Sequence, residues 1–195
     1  SGLPEPTVVD ALDTAIEAQL LVEQASSCVI YAFTHALARD ALAASMSKAR
    51  QAVVHHQFAT ALQGTPAEPT PIEVGRLAFH LLRCSTTDAR LAGCLCAEQA
   101  AEWSMASFAY DDACEWFTSA LDTVCDLPSE PELEGRLQIG LARAATLSGD
   151  ETRARKAAEA AWRTARISGD RTLEAAAALL YAGEPELNAV GDEPG

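Results

Sequence analysis

Apolar residues recur along this chain at helical spacing, and the places where the period breaks mark its organisation. Leu12, Ile16 and Leu20 stand four residues apart with Ala15 beside them, and Asp10 and Asp13 are placed to cap and charge the first turn. The pattern predicts an amphipathic helix over about 10–23. The next apolar run, Cys28, Val29, Ile30, Tyr31, Ala32 and Phe33, is short and rich in β-branched and aromatic residues. It predicts a strand, one arm of a small hairpin whose other arm the pattern does not reveal. Helical spacing returns over about 34–45, with Ala36, Leu37, Ala41 and Leu42 on one face. Ser47 is placed to cap a third helix with Val53, Val54, Phe58 and Leu62 as its apolar positions.

Residues 63–71 contain Gly64, Pro66, Pro69 and Pro71 and form the clearest linker. Thr70, Pro71 and Glu73 then restart a helix, with threonine as cap, proline in the first turn and glutamate at the capping-box position. Beyond them the pattern predicts paired helices over 72–84, 88–106, 110–124, 131–147, 151–167 and 171–182. The breaks are short and polar. At Gly149-Asp150 and Gly169-Asp170 a glycine ends one helix and an aspartate caps the next, the signature of a tight αα-hairpin. Residues 183–195 hold Gly, Pro and acidic residues without a period and read as a loose tail.

The paired helices carry a repeat. Leu141, Ala142 and Ala145 on one helix, and Ala154, Ala158 and Ala161 on the next, match the small-residue phase of a tetratricopeptide repeat. Ala101, then Ala113, Phe117 and Ala120, keep that phase upstream. Ala113 and Ala154 are 41 residues apart rather than 34, and the longer loop at 127–131 accounts for the excess. Small residues there let antiparallel helices approach closely. The competing reading is a generic alanine-rich bundle. The expected fold is therefore all-α: a winged-helix-like module over 1–63, a linker over 64–71, tetratricopeptide-like hairpins over 72–182, and a flexible acidic tail over 183–195.

Composition supports helices, since 40 of the 195 residues are alanine, which loses no side-chain entropy in a helix. The net charge of −14 argues against direct DNA binding, because phosphate contacts need a basic surface. Only residues 31–62 are even mildly basic, at +2, and Arg39, Lys48 and Arg50 are few for a recognition helix. No apolar run reaches the roughly 20 residues that span a bilayer, so no membrane partner and a cytoplasmic location are expected. The six cysteines, at 28, 84, 94, 96, 114 and 125, lack zinc-site spacing and read as buried free thiols.

Tyr31, Ala32, Phe33, Thr34, His35, Ala36, Leu37, Ala38, Arg39, Asp40, Ala41 and Leu42 form an F-x-H-x-L-x-R-x-A-L stretch. Ser47, Lys48, Ala49, Arg50, His55, Ala59, Ala61 and Leu62 continue it. Over about 9–182 the chain resembles the large bacterial LuxR-type transcriptional regulators built on a signal-transduction ATPase, and cyclase-linked relatives share the region. The resemblance implies a winged helix that follows a nucleotide-binding domain, then a tetratricopeptide-like region. No G-x-x-x-x-G-K-[ST] phosphate loop occurs in the sequence, so the chain reads as a non-enzymatic middle fragment with no cofactor of its own. Ser1-Gly2 resembles a cloning scar.

The resemblance makes His35 the sharpest single residue: it implies an imidazole that contacts nucleotide phosphate in the longer protein, with Arg39 one turn on sharing that face. The plain alternative is a surface histidine at a helix start. Adjacent His55 and His56 point too far apart on a helix to form a metal pair, and His80 has no carboxylate at a telling spacing. Trp103, Trp116 and Trp162 serve either as core or as anchors for a peptide. The expected function is a regulatory and interaction fragment of a transcriptional regulator. It would take a protein partner or small inducer in the repeat groove and couple it to the ATPase domain. The alternatives are the regulatory region of an ATPase-linked nucleotide cyclase and a plain scaffold.

Overall fold

The computed structural model describes residues 4–24, 30–64 and 69–182, and these are mostly helical, as expected. Helix α1 (Glu5–Glu17) opens behind Pro4, with Pro6 in the first turn, where a fixed φ suits the helix and no N–H is missed. It ends earlier than the pattern predicts. Gln19 takes a left-handed φ of 58°, and the chain turns into β1 (Leu21–Gln24). The helix expected over 10–23 is therefore corrected to a helix that starts sooner and a strand. That strand is the missing arm of the hairpin: β1 pairs antiparallel with β2 (Ile30–Phe33), Leu21 opposite Phe33 and Gln24 opposite Ile30. Thr34 ties the corner, its hydroxyl donating to the Gln19 carbonyl at 2.6 Å and its N–H to the Leu20 carbonyl at 3.0 Å. Cys28 and Val29, expected in the strand, lie outside the described residues.

Helix α2 (Ala36–Ser45) and helix α3 (Lys48–Gln63) follow, α3 capped by the Ser47 hydroxyl, which accepts from the Arg50 N–H at 3.3 Å. Neither α1 nor α2 buries a residue, and α3 buries Ala59 alone. Of the apolar face expected on α3, Val54 and Leu62 are half-buried as expected, whereas Val53 and Phe58 are more than half exposed and Ala52, His55 and Ala59 turn inward in their place. The reason is the neighbour: α3 packs on α4 (Pro71–Leu81), and aromatic rings fill that junction. The linker expected over 64–71 falls partly on residues 65–68, outside the described part.

The capping box of α4 forms as expected. The Thr70 hydroxyl accepts from the Glu73 N–H and the Glu73 carboxylate from the Thr70 N–H. Then come α5 (Thr87–Ala106), α6 (Tyr110–Val124), α7 (Pro131–Ser148), α8 (Glu151–Ser168) and α9 (Arg171–Ala182). Gly149 and Gly169 adopt φ of 85° and 75°, the left-handed turn that only glycine takes cheaply. Asp150 caps α8 through the Arg153 N–H, and Asp170 caps α9 through the N–H groups of Thr172 and Leu173.

Consecutive helices run antiparallel. Arg90 near the start of α5 bonds Asp126 just beyond the end of α6 at 2.9 Å. Alternate helices run parallel: Arg136 of α7 bonds Glu98 of α5 at 3.0 Å, and Arg143 lies 3.8 Å from Glu102, further towards the C-terminal end of both helices. Helices α5, α7 and α9 thus form one layer and α4, α6 and α8 the other. The core between them is mostly alanine. Ala101, Ala113, Phe117, Ala120, Ala142, Ala154 and Ala161 are all buried, and Phe117 and Leu137 are the largest side chains sealed from water.

Candidate functional site

His35 sits at the N-cap of α2 in extended backbone, exposed, and its side chain makes no capping bond. Its carbonyl instead accepts from the Ala38 and Arg39 N–H groups. Arg39, one turn on, is exposed and pairs with its neighbour Asp40 at 2.8 Å. Both side chains are exposed.

A more enclosed site lies where α4, α5 and α6 meet. Trp103 of α5 and Trp116 of α6 line a groove of about 500 Å³ with Ile72, Arg76 and Phe79 of α4. Gly75 makes room for the indole, since a Cβ there would stand 3.2 Å from the Trp116 ring. Both tryptophans are only partly buried, and Ile72 is 76% exposed on the rim. Trp162 is elsewhere. It stands on α8 with the Arg166 guanidinium 4.9 Å from its ring centre.

Beside the groove is a contact the sequence did not suggest. His55 of α3 and His80 of α4 meet Nδ1 to Nδ1 at 3.0 Å. Phe58 stacks on His80, Phe79 meets His55 edge-on, and the Arg83 guanidinium lies 3.8 Å over the Phe79 ring. Burial and then the Arg83 charge push the His55 pKa down. Burial, then His55, Arg76 and Arg83, push that of His80 down. The pair is therefore neutral at pH 7, one ring donating and the other accepting. Two imidazoles flanked by two guanidinium groups suit a cation poorly. Among the described residues no group of three or more His, Cys, Asp or Glu could hold a metal ion. The one sequence signal for this contact was the helical spacing of Ala52, His55, Ala59 and Leu62, which puts His55 on the inward face.

Among the described cysteines Cys84, Cys94 and Cys114 are buried as expected, but Cys96 is half-buried and Cys125 is exposed, which corrects the reading of all six as buried thiols. Cys94 donates to the Ala120 carbonyl at 3.5 Å, and burial pushes its pKa up to about 11, so it stays protonated. Cys84 donates to the His80 carbonyl. Among the described residues no helix is long and apolar enough to cross a membrane. No known protein family, curated protein or solved structure matches this chain.

Proposed function

We propose that this chain is a regulatory interaction module. It is read as a tetratricopeptide-like stack of helical hairpins with a winged-helix-like module before it, part of a LuxR-type transcriptional regulator whose ATPase switch lies outside it. The observation that carries the reading is the groove walled by Trp103 and Trp116. It is apolar and ringed by an exposed Ile72 and a partly exposed Phe79, and aromatic anchors of this kind dominate binding to peptide segments. The buried alanine phase from Ala101 to Ala161 supports the repeat reading. The β1–β2 ribbon followed by α2 and α3 supports the winged-helix-like reading in part, although it precedes those helices instead of following them.

In the longer protein, His35 and Arg39 would face the nucleotide-binding domain, and their exposure leaves them free to do so. Contact with a phosphate in one state only would bias that domain's equilibrium.

The test is selection of displayed peptides on the immobilised chain, with the Ile72→Asp variant as counter-selection. Ile72 is exposed, so the change leaves the fold intact. The expected result is a family of apolar-anchored peptides that bind in the micromolar range and lose on the order of tenfold in affinity to the variant. Peptides that bind both proteins equally, or none enriched, overturn the groove as the binding surface.

A further inference from the structure

The tryptophan groove is charged in the opposite sense to the molecule around it. The chain carries −14 overall. Among the described residues, however, no carboxylate lines the groove, and Arg76 is the one charged side chain that does. Arg76 is exposed, and among the described residues no carboxylate stands within ion-pair distance of it or of Arg83. Glu73, three residues back on α4, feels the Arg76 charge but commits its carboxylate to the Thr70 N–H and hydroxyl, each at 2.8 Å. Glu102, beside Trp103 in sequence, lies instead 3.8 Å from Arg143 of α7. His80 lines the groove with Arg76, half-buried, its Nδ1 taken by His55. The charges that bear on His80 are those of His55, Arg76 and Arg83, and no carboxylate is among them.

Ile72, Arg76 and Phe79 stand at i, i+4 and i+7 of α4 and so share one face. A rise of about 1.5 Å per residue sets Ile72 and Phe79 about 10 Å apart, with Arg76 between them. The two apolar rim residues are 76% and 43% exposed, and the Trp103 and Trp116 indoles line the groove beside them. A segment laid along α4 therefore meets apolar surface, then a guanidinium, then apolar surface again. Aromatic rings displace water around that guanidinium, and a carboxylate brought to it gains more than it would in open solvent. A cationic side chain at the same place would meet Arg76 with nothing to offset it.

We propose that the groove takes an acidic peptide segment in which an Asp or Glu stands between two apolar anchors. The carboxylate pairs with the Arg76 guanidinium, and the anchors rest at Ile72 and Phe79 against the tryptophans. Anchors about three residues apart in an extended segment, or about seven in a helix, span the distance between the two rim residues. A single-stranded nucleic acid would also stack on the indoles, but it fits less well. A chain of −14 repels its backbone, and one guanidinium does not neutralise a row of phosphates. The inference rests on the reading of this groove as a peptide-binding surface and deepens it by naming the chemistry of the partner.

The experiment selects random displayed peptides on the full chain and, separately, on its Ile72→Asp and Arg76→Gln variants. Both are exposed positions, so the fold is kept. Peptides selected on the parent should carry Asp or Glu between their anchors, against the repulsion of the chain's overall charge. Peptides selected on Arg76→Gln should keep the anchors and lose the acid. The leading peptide is then synthesised with its acid replaced by the matching amide, and both forms are titrated by calorimetry. The amide should weaken binding to the parent about fivefold to tenfold, and binding to Arg76→Gln by less than about twofold. Anchored peptides without an acid, or with Lys or Arg in its place, overturn this inference and leave the groove reading standing. An equal loss on the two proteins does the same. No enriched peptide, or peptides indifferent to Ile72→Asp, overturn both. An oligothymidine that displaces the peptide at comparable concentration overturns the peptide class in favour of nucleic acid.

Discussion

At Gly93 the α4–α5 pair leaves no room for a methyl group. A Cβ there would stand 2.6 Å from the Leu82 nitrogen and 2.9 Å from the Leu81 carbonyl carbon, both backbone atoms that cannot rotate away. At Gly135 of α7 the added carbon would instead meet the tip of the Leu173 side chain on α9, which can change rotamer. Both glycines sit inside helices, where alanine would gain about 1 kcal/mol in propensity. The two substitutions should therefore diverge. Gly93→Ala should lose about 1–3 kcal/mol from overpacking. Gly135→Ala should stay within about 1 kcal/mol of the parent, because the propensity gain offsets the cost of moving Leu173. Urea midpoints at constant slope decide it. A Gly93→Ala protein as stable as the parent would mean that α4 and α5 do not approach so closely.

The α3–α4 junction is the element whose stability should respond to pH. His55 and His80 both have pKa values below the ordinary histidine range in the folded chain, for reasons of burial and of the Arg76 and Arg83 charges. In the unfolded state they return to about 6.5, so below that pH the unfolded chain binds more protons. The junction's contribution is then fully present above about pH 6.5 and falls away as the pH drops through the lowered values. Amide exchange in α3 should accelerate between about pH 7 and 5 relative to exchange in α7, once corrected for intrinsic rates. His80→Phe should flatten that difference. An α3 that keeps its protection in parallel with α7 would remove the histidine pair as the cause. This junction also shows what the sequence could and could not disclose. The bounds of α5 to α9 were legible to within a residue because Gly-Asp turns, prolines and small-residue periods mark both ends of each helix. The first helix was not, since Leu20 fits its period but the left-handed Gln19 has already turned the chain towards β1. The tryptophan groove was legible only as an alternative to core packing. The His55–His80 contact could not be read, because it depends on which helix lies opposite, and a helical period names a face without naming its neighbour.

The whole molecule divides by burial. Helices α4 to α9 share one continuous core, whereas α1, β1, β2 and α2 bury no side chain, and α3 joins them to the stack through Ala59 and the aromatic junction. Large apolar side chains stand in water across this first part: Leu37 at 82%, Leu42 at 57% and Phe33 at 39% exposed. Local opening free energy follows buried apolar contact, so the two parts should not unfold together. A chain comprising residues 69–182 should fold alone, with a helical circular-dichroism signal per residue above that of the full chain because the two strands are gone. Its thermal midpoint should lie within a few degrees of that of the full chain, because the deleted part contributes little burial. Limited proteolysis of the full chain should cut first before residue 64 and leave a resistant product containing α4 to α9. Without a core, each opening of the first part exposes its backbone, and cleavage there follows the open population. The opposite outcome would be a cooperative single transition in the full chain, with the shortened chain molten or insoluble. It would mean that the first part stabilises the stack through more than the α3–α4 contact, and the division drawn from burial would fall.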